Sequence, residues 1–193
     1  DGGYRTGALI IDAASFVPQS RPRLFMVAIK DEVPLSPMVV RNSPERPFHS
    51  DQIRRAHARL PDRLRGSWIW WHLPIPCRRK TSLRDIIQPD ATTPETHSPE
   101  KTQRYIQRMA PAHLARLQAA MASGKFEVGS LYMRTRVENG VKVQRAEVRF
   151  DGLSGCLRTP AGGSSRQVFL LVQGESVRSR LPTKRELARL MGI

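Results

Sequence analysis

The chain has 193 residues, of which 39% are hydrophobic, and carries 32 Lys and Arg against 17 Asp and Glu, a formal charge of +15 at pH 7. That length suits one domain and a fraction of a second, and the charge excess points to a polyanionic partner. No stretch approaches the ~20 apolar residues of a membrane span, two cysteines make no disulfide framework, and no Cys/His cluster has zinc spacing, so neither membrane nor metal is expected.

Residues 1–30 read as strand, basic loop, strand. The loop is Pro18-Gln19-Ser20-Arg21-Pro22-Arg23. In an extended chain, residues two apart face the same way. Arg21 and Arg23 would then aim two guanidinium forks at one place, suited to an oxyanion, a phosphate or a base edge. The following run, Leu24–Ile29, is too continuously apolar for an exposed strand. Residues 31–50, with four prolines, form a connector. Ser50 caps a predicted helix from Asp51 to about Leu60. Between Arg54 and Lys80 lie eight basic residues and one acid, around Trp68-Ile69-Trp70-Trp71-His72. Those aromatics either stack on bases or build a small core, and a core is the reading preferred.

A short helix is predicted near Leu83 and a loop over 89–99. Ser98-Pro99 opens a helical stretch to about Ala122, split by Pro111 and closed by Gly124. Val128–Val137 alternates as a strand, and Asn139-Gly140 signals a type I′ hairpin turn. The apolar parity changes near Gln144-Arg145, which predicts a bulge. One hairpin face is basic, with Arg134 and Arg136, and Arg145 or Arg149 as candidates to join it. Phosphate contact is weighed slightly ahead of a solvated face.

The most distinctive loop is Arg158-Thr159-Pro160-Ala161-Gly162-Gly163-Ser164-Ser165-Arg166-Gln167. Two glycines permit close backbone approach to a ligand. Its Ser, Thr, Arg and Gln side chains offer phosphate and base contacts. A strand from Gln167 to Val172, a turn, and a partner strand over 176–180 follow. Thr183-Lys184-Arg185-Glu186 is a capping box opening the last helix, with Gly192 as its stop.

Pro18–Arg23 resembles the Gln-x-Arg-x-Arg block of the DNA cytosine-C5 methyltransferases, and Leu9–Val17 looks like the approach to it. Arg180–Ile193 is similar to that family's ninth block. Arg149-Phe150-Asp151-Gly152 and Cys156–Gln167 look like a bacterial and phage branch of it. The resemblance implies an α/β fold: a fragment of a doubly wound catalytic domain plus a mixed, β-rich target recognition domain. The corresponding bounds are 1–38 for the end of the catalytic sheet, 39–175 for the recognition domain and 176–193 for the return to the catalytic domain.

The family's other blocks are not found ahead of Gln19. Those are a Phe-x-Gly-x-Gly cofactor loop, the nucleophile of Pro-Cys-Gln, and Glu-Asn-Val. The tenth block is not found either. Pro76-Cys77-Arg78 lacks the Gln and lies downstream of the arginine block, and Glu138-Asn139-Gly140 reads as a turn. The chain is therefore expected to be the C-terminal part of a methyltransferase, truncated at both ends and inactive alone. The resemblance implies S-adenosylmethionine as cofactor, bound mostly by the missing segments and by no residue of this chain. It implies double-stranded DNA as partner, together with the missing N-terminal catalytic portion in cis or in trans, in the cytoplasm of a bacterium or phage host.

The base must leave the stack for such chemistry. By resemblance, Arg23 maps onto the cation beside the O2–N3 edge of the flipped cytosine. Arg21 orients the loop and phosphates, and Gln19 holds the turn. Arg134, Arg136, Arg158, Thr159, Gly162, Gly163, Ser164, Ser165, Arg166 and Gln167 are the expected DNA contacts. The rival readings are a non-enzymatic DNA-binding module and an RNA-binding protein. The RNA reading would call for aromatic-studded sheet motifs, which are not evident.

Overall fold

The structure is a computed structural model and describes residues 3–88, 96–158 and 166–193. The chain divides into two compact units: residues 1–15 with 22–77, and residues 16–21 with 78–193. No helix among the described residues is long and apolar enough to cross a membrane.

The first unit is built on a ribbon. β1 (Tyr4–Asp12) pairs antiparallel with β2 (Pro22–Lys30), in register from Tyr4 opposite Lys30 to Asp12 opposite Pro22. The other edge of β1 is also occupied. Thr6 N–H donates to the Ser67 carbonyl, Ile69 N–H to Thr6, and Ile10 N–H to Phe48. β3 (Val40–Arg41) pairs with β4 (Trp70–Trp71). α1 (Asp51–Ala58) begins at Ser50, whose hydroxyl accepts from the Ile53 N–H, and a single turn, α2 (Asp62–Arg65), follows. Ala8, Ile53 and Trp70 form the core, with Ile10 and Trp68 against it. The rings of His49 and His57 pack on Trp70 at 5.0 and 4.7 Å. The tryptophan cluster is thus core, and burial lowers the pKa of both histidines.

The reading of Leu24–Ile29 as a buried strand is corrected. β2 is exposed along most of its length, with Met26 at 73% and Leu24 at 58%. A continuous apolar strand becomes buried only when both its faces are covered. Here β1 lines one edge, and no described strand pairs with the other.

The second unit holds a four-stranded sheet in the order β6-β5-β7-β8, antiparallel throughout. These strands are β5 (Phe126–Glu138), β6 (Val141–Arg149), β7 (Val168–Gln173) and β8 (Ser176–Arg180). α3 (Pro99–Gln107) and α4 (Pro111–Ala122) cover one face, where Leu117, Leu131, Val148 and Leu170 pack. A 3-10 turn at Arg84–Ile86 and α5 (Lys184–Leu190) cover the other, against Phe169, Leu171 and Val128. Ser98 caps α3, Pro111 opens α4, and the Thr183–Glu186 capping box opens α5. The expected boundary after residue 175 falls inside the β7–β8 hairpin.

Asn139 (φ 49°) and Gly140 (φ 79°) make the two-residue turn, closed by Glu138 opposite Val141. The expected bulge at Gln144-Arg145 is absent, and the β5–β6 register runs unbroken from Glu138–Val141 to Ser130–Arg149. Near the sheet, Leu131, Met133, Ala146 and Val148 share the core face; Val141 and Val143 lie on the opposite one. Val137 and Val141, at the hairpin's end, are exposed. Burial no longer selects a face there, so the apolar pattern can change parity without a kink.

Candidate nucleic-acid interface

The segment of residues 16–21 belongs to the second unit. Pro18 and Gln19 are buried, Gln19 at 2% exposure. Gln19 Nε2 donates to the Leu190 carbonyl at the end of α5 at 2.9 Å. The Ser154 N–H donates to the Pro18 carbonyl and the Ser20 N–H to the Ser154 carbonyl, each at 2.8 Å. Val17 lies against Gly192, where an added Cβ would come within 3.3 Å of it. The two sequence segments that carry the resemblance, 171 positions apart, therefore meet. Arg21 is exposed and precedes β2, which begins at Pro22, so the same-face argument for residues two apart does not reach it. Arg23 is exposed within β2, its Nη1 on the Pro22 carbonyl at 2.9 Å.

On the hairpin, the expected basic face is largely paired. Arg134 and Arg136 both bind Glu147, Arg134 at 3.2 Å, and Arg145 binds Glu138, so two acids offset three cations. Arg149 binds Asp151. Sequence alone does not show this pairing; the unbroken register sets Glu147 opposite Tyr132, on the arginines' own face. The Tyr132 hydroxyl donates to the Cys156 carbonyl at 2.6 Å, and burial pushes its pKa up.

Other cations are less committed. Arg158, Arg166 and Lys184 have no ion-pair partner among the described residues, and they line a cavity of about 390 Å³ with Leu157, Leu181, Pro182, Leu187 and Met191. No carboxylate among the described residues lines it. Three cations with no described acid beside them make this an anion-attracting surface. Gln167 also borders the cavity, yet it is only 6% exposed and its amide is turned inward to Ser130, Leu131 and Val168. Thr159, Gly162, Gly163, Ser164 and Ser165 lie outside the described residues.

Sequence reading missed one buried network. Arg180 and Glu186 are both fully buried and joined by two hydrogen bonds of 2.8 and 2.6 Å. Glu186 also accepts from the N–H groups of Gln88 and Thr183. Burial opposes its ionisation, but Arg180 and the two amides hold its carboxyl below the usual range. The capping box disclosed Glu186; an arginine three residues ahead of the Thr183 cap was the remaining signal.

Comparison with curated proteins and with solved structures returns no match. A family model, described as C-5 cytosine-specific DNA methylase, matches residues 1–193. That match spans both units and the two segments joined by Gln19 and Leu190, and by it the chain belongs to the C-5 cytosine-specific DNA methylase family.

Proposed function

We propose that this chain is the C-terminal portion of a DNA (cytosine-5-)methyltransferase, which recognises a duplex sequence and helps hold the flipped cytosine during methyl transfer. The observation that carries this reading is the family match over residues 1–193. The Gln19–Leu190 bond supports it, because it unites the arginine block with the last helix. In this reading β1 and β2 are a piece of the doubly wound catalytic sheet, and the apolar exposed β2 supports a further layer over it. The sheet of β5–β8 with its helices is the core of the recognition domain.

The family acts on DNA with S-adenosylmethionine as methyl donor. The cavity beside α5 does not fit that group. Its walls are apolar, but Arg158, Arg166 and Lys184 would repel a sulfonium, and among the described residues no carboxylate lines it to bind ribose hydroxyls. In this reading cofactor and nucleophile belong to another part of the enzyme. What this chain contributes is positioning and charge. Arg23 is the cation for the O2–N3 edge of cytosine, and a fork of fixed donors is suited to charge that develops there. Arg21 steadies the neighbouring turn and phosphates. Arg158, Arg166 and, more weakly, the paired Arg134 and Arg136 contact DNA.

The test is methyl transfer to duplex DNA. The pure chain should transfer none, and a complete enzyme holding the nucleophile and cofactor loop should transfer. In that enzyme Arg23→Ala should lower turnover by roughly a hundredfold or more while DNA affinity changes less, and Arg23→Lys should restore little. Specific binding with no transfer by the complete enzyme would instead mark a DNA-binding module. Turnover intact with binding abolished would make Arg23 a phosphate clamp.

A further inference from the structure

Four buried polar side chains, Gln19, Ser130, Ser154 and Gln167, stand behind the turn that ends at Arg21. Gln19 is anchored to Leu190. Ser154, fully buried, holds the turn with its backbone, accepting from Ser20 and donating to Pro18. The place of Ser154 is itself fixed from behind. The Gly155 N–H donates to Ser130 Oγ at 3.1 Å, and Gln167 Nε2 donates to the same oxygen at 2.6 Å. Gln167 also donates to the carbonyls of Leu131 and Val168, and Ser154 Oγ reaches Gln167 Oε1 at 3.3 Å. Gly155 is pressed onto the Tyr132 ring, where any side chain would collide, and the Tyr132 hydroxyl holds the next carbonyl, at Cys156.

Such a knot has few alternative arrangements. Buried polar groups that lose a partner carry the full desolvation penalty, so every member is held near one geometry. Ser130 and Gln167 meet Ser154, Gly155 and each other, and it is the Ser154 backbone that bonds the turn. They set the height and tilt of the Ser154–Gly155 backbone, and that backbone sets the turn.

We propose that Gln167 and Ser130 are positioning residues of methyl transfer: acting through Ser154, they hold the Pro18–Ser20 turn and thereby set Arg21 where it steadies the phosphates beside the reacting nucleotide. This inference rests on the methyltransferase reading above. It gives Gln167 a role different from direct contact with a base. Misplacement of a positioning group by about an ångström lowers rates by up to about a hundredfold without a matching loss of binding.

Two measurements test it. The first needs no activity: hydrogen exchange of the Ser20 and Ser154 amides in this chain. Ser130→Ala and Gln167→Ala should each speed exchange at both amides, and Ser130→Thr, which keeps the hydroxyl, should restore protection. Unchanged exchange overturns the mechanical link, whatever the enzyme does. The second is single-turnover methyl transfer by the complete enzyme at saturating DNA. Gln167→Ala and Ser130→Ala should slow transfer by about tenfold to a hundredfold with the DNA dissociation constant nearly unchanged. Ser130→Thr should recover most of the rate, and Ser154→Ala, which leaves the backbone clamp in place, should lose least. A loss of DNA affinity with an unaltered single-turnover rate would make Gln167 a DNA contact and overturn the proposal. If the unsubstituted enzyme transfers no methyl group, the methyltransferase reading fails, and the exchange result still decides the linkage.

Discussion

β2 and β7 are near twins in sequence and opposites in surroundings. Leu24-Phe25-Met26-Val27-Ala28-Ile29 and Val168-Phe169-Leu170-Leu171-Val172 are both unbroken apolar runs. β7 lies between β5 and β8, with a cluster on each face, and Val168 to Val172 are all buried. β2 has β1 on one edge, and Leu24 through Val27 are exposed. The composition of a strand records the environment in which it is stable, while burial depends on the elements present to supply it. A strand that reads as buried and is found open therefore marks a surface that needs covering.

The strongest way to break the comparison is to damage β7. Phe169 is fully buried, and the Arg180 guanidinium stands 5.9 Å from its ring centre. Phe169→Ala should destabilise the second unit by about 4 kcal/mol through lost burial and the cavity left behind. Urea unfolding followed by circular dichroism would measure it. A loss below about 1 kcal/mol would mean that β7 is not the core strand it appears in sequence and structure alike.

Next comes the buried pair that ties β8 to α5. Glu186→Ala leaves the Arg180 guanidinium buried without its carboxylate and should cost about 3 kcal/mol. Its pH signature has a definite sign. The folded pKa of Glu186 lies below the unfolded value of about 4.3. Its contribution is therefore complete above about pH 4.3 and is lost as the pH falls through the folded value. Thermal melts from pH 6 downward should show this acid loss in the native chain. Glu186→Gln should start lower and fall less, and parallel curves would remove Glu186 from the acid transition.

Much of the second unit was legible, for physical reasons that stay local. Asn139-Gly140, Ser98-Pro99 and Thr183–Glu186 each specify a turn or cap within four residues, and all three form as read. What was not legible depends on distant partners. The hairpin's basic face reads as free charge until the register sets Glu147 on that face. Gln167 reads as a loop residue available to a base until Ser130, 37 positions away, claims its amide. Arg21 and Arg23 read as one strand face, but the strand starts between them. At a smaller scale, Thr183→Ala removes the cap oxygen that accepts from Glu186 N–H and should cost about 1 kcal/mol. The same denaturation curves would measure it.

The smallest expected effect sharpens the comparison most. Phe25 is half-exposed on β2, at 46%. In this chain Phe25→Ser should shift unfolding free energy by less than about 0.5 kcal/mol, because little burial is forfeited at an exposed site. In a complete methyltransferase whose catalytic sheet lies against β2, the same substitution should cost about 2 kcal/mol, the value of burying a large apolar side chain. Phe169→Ala, by contrast, should cost nearly the same in both, since the neighbours of β7 are already in place. The informative quantity is thus the difference of differences. If Phe25→Ser is as mild in the complete enzyme as in the chain, β2 is an exposed strand by design, and its apolar run reflects something other than a missing layer of the catalytic sheet. If it is already severe in the chain, β2 is covered in solution by another copy of itself, and dilution should then relieve the cost.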